Sequence, residues 1–143
     1  MDLQIKGKKA IMAGGSAGMG RATAERLAEA GVELVITARR KERLEKAATE
    51  ISTKYGVNVT PIVADSSKPA DRARLLQACP DPDILGITIK PPAPNGDFLN
   101  VTPEMWRESI DTALIGPVEL MRQYIPHMKS AEWGRIVNIA TFS

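Results

Sequence analysis

Apolar positions in this chain fall into two patterns that alternate: short unbroken runs, and longer stretches with helical spacing. Residues 8–13 (KKAIMA) predict a strand, and residues 21–30 (RATAERLAEA) a helix that Gly31 ends from the left-handed C′ position. Residues 32–38 (VELVITA) predict a second strand rich in branched side chains. Residues 41–54 predict a second helix, with Leu44, Ala47, Ala48 and Ile51 on one face and Gly56 at its end. Residues 57–64 predict a third strand. Ser67 is then placed to cap a helix over about 68–78, with Pro69 and Asp71 suited to its first turn.

Residues 83–89 (DILGITI) predict a fourth strand, and Pro91, Pro92, Pro94, Asn95 and Gly96 make the following stretch a loop. Thr102 as N-cap, with Pro103 behind it, opens the longest helix, predicted over 102–128. Trp106, Ile110, Leu114, Pro117, Met121, Tyr124 and Met128 form one stripe along it, and Pro117 is expected to bend it. Residues 134–140 (GRIVNIA) predict a fifth strand. Strands too apolar to face water on either side, alternating with helices, predict an α/β fold: a doubly wound parallel sheet covered by helices on both faces, as one domain over 1–143. Right-handed crossovers place a ligand crevice outside the carboxyl ends of the strands, where strand order reverses. Function is therefore expected at residues 13–20, 37–40, 64–67, 87–95 and 140–143.

Composition narrows this further. With 43% hydrophobic and 25% charged residues, the 143-residue chain suits one core. Its 19 basic and 17 acidic residues leave a net +2, too small and too evenly spread for a nucleic-acid or anionic-membrane surface, so any positive site must be local. No long apolar run follows Lys6, Lys8 and Lys9, so no signal peptide or membrane span is read and the cytoplasm is the default. Cys79 is the single cysteine, which removes an intrachain disulfide and a multi-cysteine metal site, and no metal is expected. His127, also single, lies near the end of the long helix, where it suits the terminal carbonyls.

The segment Ala13-Gly14-Gly15-Ser16-Ala17-Gly18-Met19-Gly20 lies between the first strand and its helix. Small residues there let backbone N–H groups approach a pyrophosphate at a positive helix end, so Gly14, Ser16, Ala17, Gly18, Met19 and Gly20 are candidate dinucleotide contacts. The end of the second strand bears on which dinucleotide. A carboxylate there would accept from a ribose 2′-OH and repel a 2′-phosphate, whereas an arginine fork binds that phosphate. The residues are Thr37, Ala38, Arg39 and Arg40. Two cations oppose the dipole of a helix start, which argues for a functional reason, and Arg39 is assigned to the phosphate. NADP is favoured over NAD.

The spacing Gly14-x-x-x-Gly18-x-Gly20 resembles the cofactor loop of the short-chain dehydrogenases/reductases, and the likeness runs over essentially the whole chain. Ala64-Asp65, with Ser66 beside it, is similar to the family's adenine-contacting aspartate, and residues 134–139 are similar to the strand before its catalytic serine. The resemblance implies a Rossmann-type NADP(H)-binding domain, hydride transfer at a carbonyl or alcohol carbon of a small molecule, and homo-oligomers through the long helix. Thr141 stands at the serine position, and its hydroxyl can donate to a carbonyl oxygen.

Three positions depart from the family. The Asn-Asn-Ala-Gly turn after the fourth strand is here Ile87-Thr88-Ile89-Lys90. Lys90 either reaches a cofactor phosphate or belongs to a loop that has moved, which the stiff Pro91-Pro92-Ala93-Pro94 run favours. Ala113 replaces a helix asparagine that supports a relay water, and it can neither donate nor accept. The tyrosine and lysine that supply the family's proton lie downstream of its serine, and the chain ends first; Tyr55 and Tyr124 sit on other elements. The chain then reads either as the leading part of a longer reductase, which an open apolar fifth strand favours, or as a member that has lost its catalytic set. An NADP(H)-dependent oxidoreductase is the leading function. The alternatives are a dinucleotide sensor or scaffold, and a fold recruited to non-redox chemistry. Phe98, Leu99 and Phe142 either line an apolar substrate wall or pack within their loops.

Overall fold

The structure, a computed structural model, describes residues 3–92 and 97–140. One five-stranded sheet runs through it, made of β1 (Lys9–Ala13), β2 (Glu33–Ala38), β3 (Val59–Val63), β4 (Ile84–Ile87) and β5 (Arg135–Asn138). All pairings are parallel and the order is β3-β2-β1-β4-β5. The chain thus winds outward from β1 to β3 and then crosses back over β1 to build β4 and β5. That reversal, between β1 and β4, is where a doubly wound sheet opens its crevice.

Period-two alternation in the strands sorts their side chains into two cores. Ala10 and Met12 of β1 and Leu34 and Ile36 of β2 face one way, against Ala24 and Ala28 of α1 (Gly18–Glu29) and Leu44, Ala47, Ala48 and Ile51 of α2 (Lys41–Tyr55). Ile11 and Ala13 of β1, Val35, Leu85 and Ile87 face the other way. They meet Leu75 of α3 (Pro69–Ala78) and Leu120, Tyr124 and Met128 of α5 (Gly116–Ser130). The expected helices on both faces are therefore present. Pro61 lies within β3, where it is tolerated because β3 is an edge strand. β5 is the other edge of the described sheet, and Val137 and Ile139 on and beside it are exposed.

Two helices differ from the sequence reading. The first begins at Gly18 and not at residue 21. Glycine has poor helix propensity, but here packing decides: Gly20 is buried against the Gly14 carbonyl and is already helical. The long helix follows the expected cap, Thr102 accepting from the Met105 N–H at 3.3 Å, but it is not one α-helix. α4 (Pro103–Ile110) passes through a π-helical segment (Asp111–Ile115) into α5. Pro117 has no N–H to return to Ala113, and the wider turn absorbs the defect, with the Gly116 N–H bonding the Asp111 carbonyl. The wider turn also shifts the helical register, so the expected single stripe is split. Pro117, Tyr124 and Met128 are buried, while Trp106, Ile110 and Leu114 are 47%, 48% and 56% exposed.

Candidate functional site

Because the strands are parallel, the carboxyl ends of β1 to β4 and the segments leaving them converge at one rim. They enclose a cleft of about 540 Å³. The segment after β1 forms its floor. The Gly14 and Gly15 N–H groups both donate to the Thr37 carbonyl, at 2.9 and 3.1 Å, which ties the glycine loop to β2. A Cβ on Gly14 would come within 2.8 Å of the Thr88 carbonyl and hydroxyl, and one on Gly20 would strike the Gly14 carbonyl. Those two glycines serve the packing of the turn itself.

Gly18 is different. A Cβ there would meet nothing within 4 Å, and its φ of +52° is the backbone's only demand for glycine. Gly18 is exposed and lines the cleft. Ala17 caps α1 with extended backbone and no side-chain bond, and the first turn carries no acidic residue. The first-turn amides of α1 therefore present partial positive charge to the cleft, without a side chain to neutralise it.

Charge on the walls has the same sign. Arg39, Arg40, Arg43 and Lys90 all line the cleft, and among the described residues none forms an ion pair or a hydrogen bond through its side chain. The chain's other arginines are engaged: Arg21, Arg26, Arg74, Arg107 and Arg122 with carboxylates, Arg72 with the Ser66 carbonyl, and Arg135 with the Gly134 carbonyl and the Trp133 ring. The arginines left without partners among the described residues are thus gathered in one place. Asp65 is the carboxylate of the cleft lining. Burial alone would raise its pKa, but the Ser67 hydroxyl and N–H donate to its Oδ1 at 2.7 and 3.0 Å and Arg39 lies near, so it is held below the usual carboxylate range. Ser67 is spent on this contact and does not cap α3, whose N-cap is Lys68. The Asp71 carboxylate reaches back to accept the Asp65 N–H at 2.8 Å, and Arg72 holds the Ser66 carbonyl at 2.7 Å. α3 thereby fixes the segment beside Asp65 and Ser66.

On the far side of β1, the Thr88 N–H donates to the Ala13 carbonyl at 2.9 Å, and Thr88, Ile89 and Lys90 line the cleft. The chain leaving β4 touches the glycine loop at Thr88, and Ile89 and Lys90 line the same cleft; residues 93–96 lie outside the description. Ala113 is exposed, and its neighbour Thr112, buried and carried by the π-helical segment, lines the cleft instead. Phe98 and Leu99 stand exposed and do not line it. Thr141 and Phe142 fall outside the described residues. Tyr124 is fully buried on α5, where burial pushes its hydroxyl far up, and Tyr55 packs on α2 under Lys54. Neither reaches the cleft lining.

All ten residues assigned to a cofactor from the sequence, Gly14, Ser16, Ala17, Gly18, Met19, Gly20, Arg39, Asp65, Ser66 and Lys90, line this one cleft. Arg43 and Thr112 were not anticipated, and Thr88 lies in the expected stretch 87–95 without having been assigned a role. Arg43 carried a usable signal, since it lies one turn along α2 from the strand end that carries Arg39. Thr112 carried none, because only the π-helical turn brings it inward. The described residues contain no group of His, Cys, Asp and Glu able to hold a metal ion and no helix long and apolar enough to cross a membrane.

A profile of the short chain dehydrogenase family matches residues 8–143. The 3-oxoacyl-[acyl-carrier-protein] reductase FabG of Aquifex aeolicus is 32% identical over 149 residues, covering 99% of this chain and 58% of its own length. The oxidoreductase YvaG of Bacillus subtilis is 30% identical over 144 residues, covering 99% and 53%. Among solved structures, L-sorbose reductase from Gluconobacter frateurii, complexed with NADPH and L-sorbose, superposes with a TM-score of 0.87 at 30% identity, over 96% of this chain and 54% of that one. A short-chain dehydrogenase from Sphingobium yanoikuyae in complex with NADPH gives 0.85 at 31% identity, over 94% and 54%. The chain spans about half the length of these relatives. The match takes in all five strands and every segment that builds the cleft, and the chain belongs to the short-chain dehydrogenase family.

Proposed function

We propose that the cleft holds NADP(H) and that the protein serves an oxidoreductase moving a hydride between this cofactor and a carbonyl or alcohol carbon of a small molecule. The observation that carries the reading is the set of arginines without partners, Arg39 and Arg40 at the end of β2, where an NAD-selective site would place a carboxylate, and Arg43 one turn into α2. The residues fit the cofactor. The open side of Gly18 and the uncapped start of α1 suit a pyrophosphate, and Ser16, Ala17, Met19 and the neighbouring glycines form the floor beneath it. Arg39 pairs with the 2′-phosphate, Asp65 and Ser66 flank the adenine, and Lys90 reaches a phosphate from the β4 side. Thr141 donates a hydrogen bond to the substrate oxygen. NADPH, when bound, supplies the hydride; the chain binds and orients it.

Two of the relatives above were solved with NADPH, which supports this choice of cofactor. Titration of the chain with NADPH and NADH tests it. NADPH is expected to bind more tightly, and Arg39→Ala to remove roughly 1.5–3 kcal/mol from NADPH binding alone. Equal affinities in the unmodified chain would sink the assignment.

A second reading, a dinucleotide-binding protein without redox turnover, is favoured by Ala113 and by Lys90, which replace an asparagine and a glycine of the family pattern. A Tyr-x-x-x-Lys motif in a native chain extending past Ser143 would decide for the oxidoreductase. We also place a self-association surface on the outer face of α4 and α5, where Trp106, Ile110, Leu114 and Val118 are exposed.

A further inference from the structure

The geometry points to Thr88 as the positioning residue of the glycine loop: its side chain, issuing from the end of β4, holds Gly14 and Gly20 in the arrangement that opens the loop amides to the cleft. The loop is gripped from two sides. On the β2 side the grip is backbone only, the Thr37 carbonyl receiving the Gly14 and Gly15 amides. On the β4 side it includes a side chain, since the Thr88 hydroxyl lies 3.2 Å from the Ala13 carbonyl and 3.4 Å from the Gly14 carbonyl. A hydroxyl has one proton, so the two carbonyls share it.

The same oxygen lies where side chains of the loop would have to go. A Cβ on Gly14 would approach the Thr88 hydroxyl to 2.8 Å, and one on Gly20 would collide with that hydroxyl and with the Gly14 carbonyl together. Thr88 Oγ1, the Gly14 carbonyl and the Gly20 Cα are therefore in mutual contact. That contact sets how closely the start of α1 crosses the end of β1. Moving the hydroxyl moves the helix start, and with it the amides that face the cleft.

Removing the hydroxyl should leave the sheet intact, because the Ala13 carbonyl keeps the Thr88 N–H at 2.9 Å. The effect falls on the Gly14 carbonyl, which loses its hydroxyl contact. In a valine the bulkier methyl would also press on Gly14 and Gly20 where the smaller oxygen had fitted.

This inference rests on the dinucleotide reading only for its affinity arm, so two measurements are made on Thr88→Val and Thr88→Ser. In the ligand-free chain, amide hydrogen exchange at Gly14 and Gly15 should quicken about fivefold in Thr88→Val and stay within about twofold in Thr88→Ser, with the Leu44 amide of α2 unchanged in both. NADPH dissociation constants should rise roughly three- to tenfold in Thr88→Val and be restored in Thr88→Ser. Thr88→Ala, which adds no bulk, replaces Thr88→Val if the latter fails to fold by circular dichroism. Equal exchange at Gly14 and Gly15 in the hydroxyl-bearing and hydroxyl-free chains would overturn the inference, whatever the cofactor result. Faster exchange in Thr88→Val alone, with no NADPH binding by the parent, would uphold Thr88 as the loop's positioning residue and overturn the dinucleotide reading instead.

Discussion

At the scale of single residues, Asp65 shows how the cleft couples to pH. Two donors from Ser67 and the nearby Arg39 charge outweigh its desolvation, so its folded pKa lies below the ordinary aspartate value of about 3.9. A depressed carboxylate contributes stability that is complete above its unfolded pKa and is lost as pH falls through the folded one. Asp65→Asn is therefore expected to lower stability at neutral pH by about 0.5–1 kcal/mol, the low end for such contacts because solvent screens the group. It should also flatten the decline of Tm below about pH 4. A Tm-against-pH profile measured on both chains checks the sign: an unchanged acid limb would show that Asp65 is not ionically held. Asp65 itself was singled out by the resemblance of Ala64-Asp65 to the family's adenine-contacting aspartate, within the stretch 64–67 that topology marked. The use of Ser67 was not, because a serine before a helix can cap it or bond a neighbouring aspartate, and only the position of Asp71 on α3 favours the second.

At the scale of elements, the strands and the first helices could be read because one face or both are apolar and glycines punctuate their ends. The long helix could be read as a helix but not as three segments. A stripe counted at 3.6 residues per turn assumes one register, and the π-helical turn at Asp111–Ile115 resets it. Trp106, Ile110 and Leu114 therefore face outward, on a surface too apolar to be explained by the core of one chain. If copies pair through this face, Leu114→Glu should abolish self-association while changing the stability of the single chain by no more than about 0.5 kcal/mol. Sedimentation velocity over a concentration series measures this. A parent chain that stays monomeric at tens of micromolar would refute the surface.

At the scale of the molecule, the doubly wound order carries the rims of four strands to one cleft and supplies it with positive charge, but with little that can deliver a proton. Asp65 is held ionised, Ala113 has no polar side-chain atom and does not line the cleft, and the described tyrosines lie away from it. The 143-residue chain is expected to bind NADPH and yet show no ketone-dependent NADPH oxidation above background. The test is an absorbance assay with a panel of ketones on chain of verified mass. Robust turnover would mean that Lys90, Thr141 or another group of this chain supplies the proton.

The sequence by itself determined the alternation of strand and helix, the parallel sheet, the glycine loop and the ten cofactor candidates. Apart from Asp65, Ser66 and Lys90, which came from the resemblance to the family, these rest on local properties: the period of apolar positions, the conformational demands of glycine and proline, and charge at a strand end. Tertiary structure alone decided that α1 starts inside the glycine loop, that Arg43 and Thr112 join the cleft, that Thr88 grips Gly14, and which half of the long stripe is buried. These depend on distances between residues far apart in the chain, as between Thr88 and Gly14, or on a one-residue change of helical register, and neither leaves a mark in local composition.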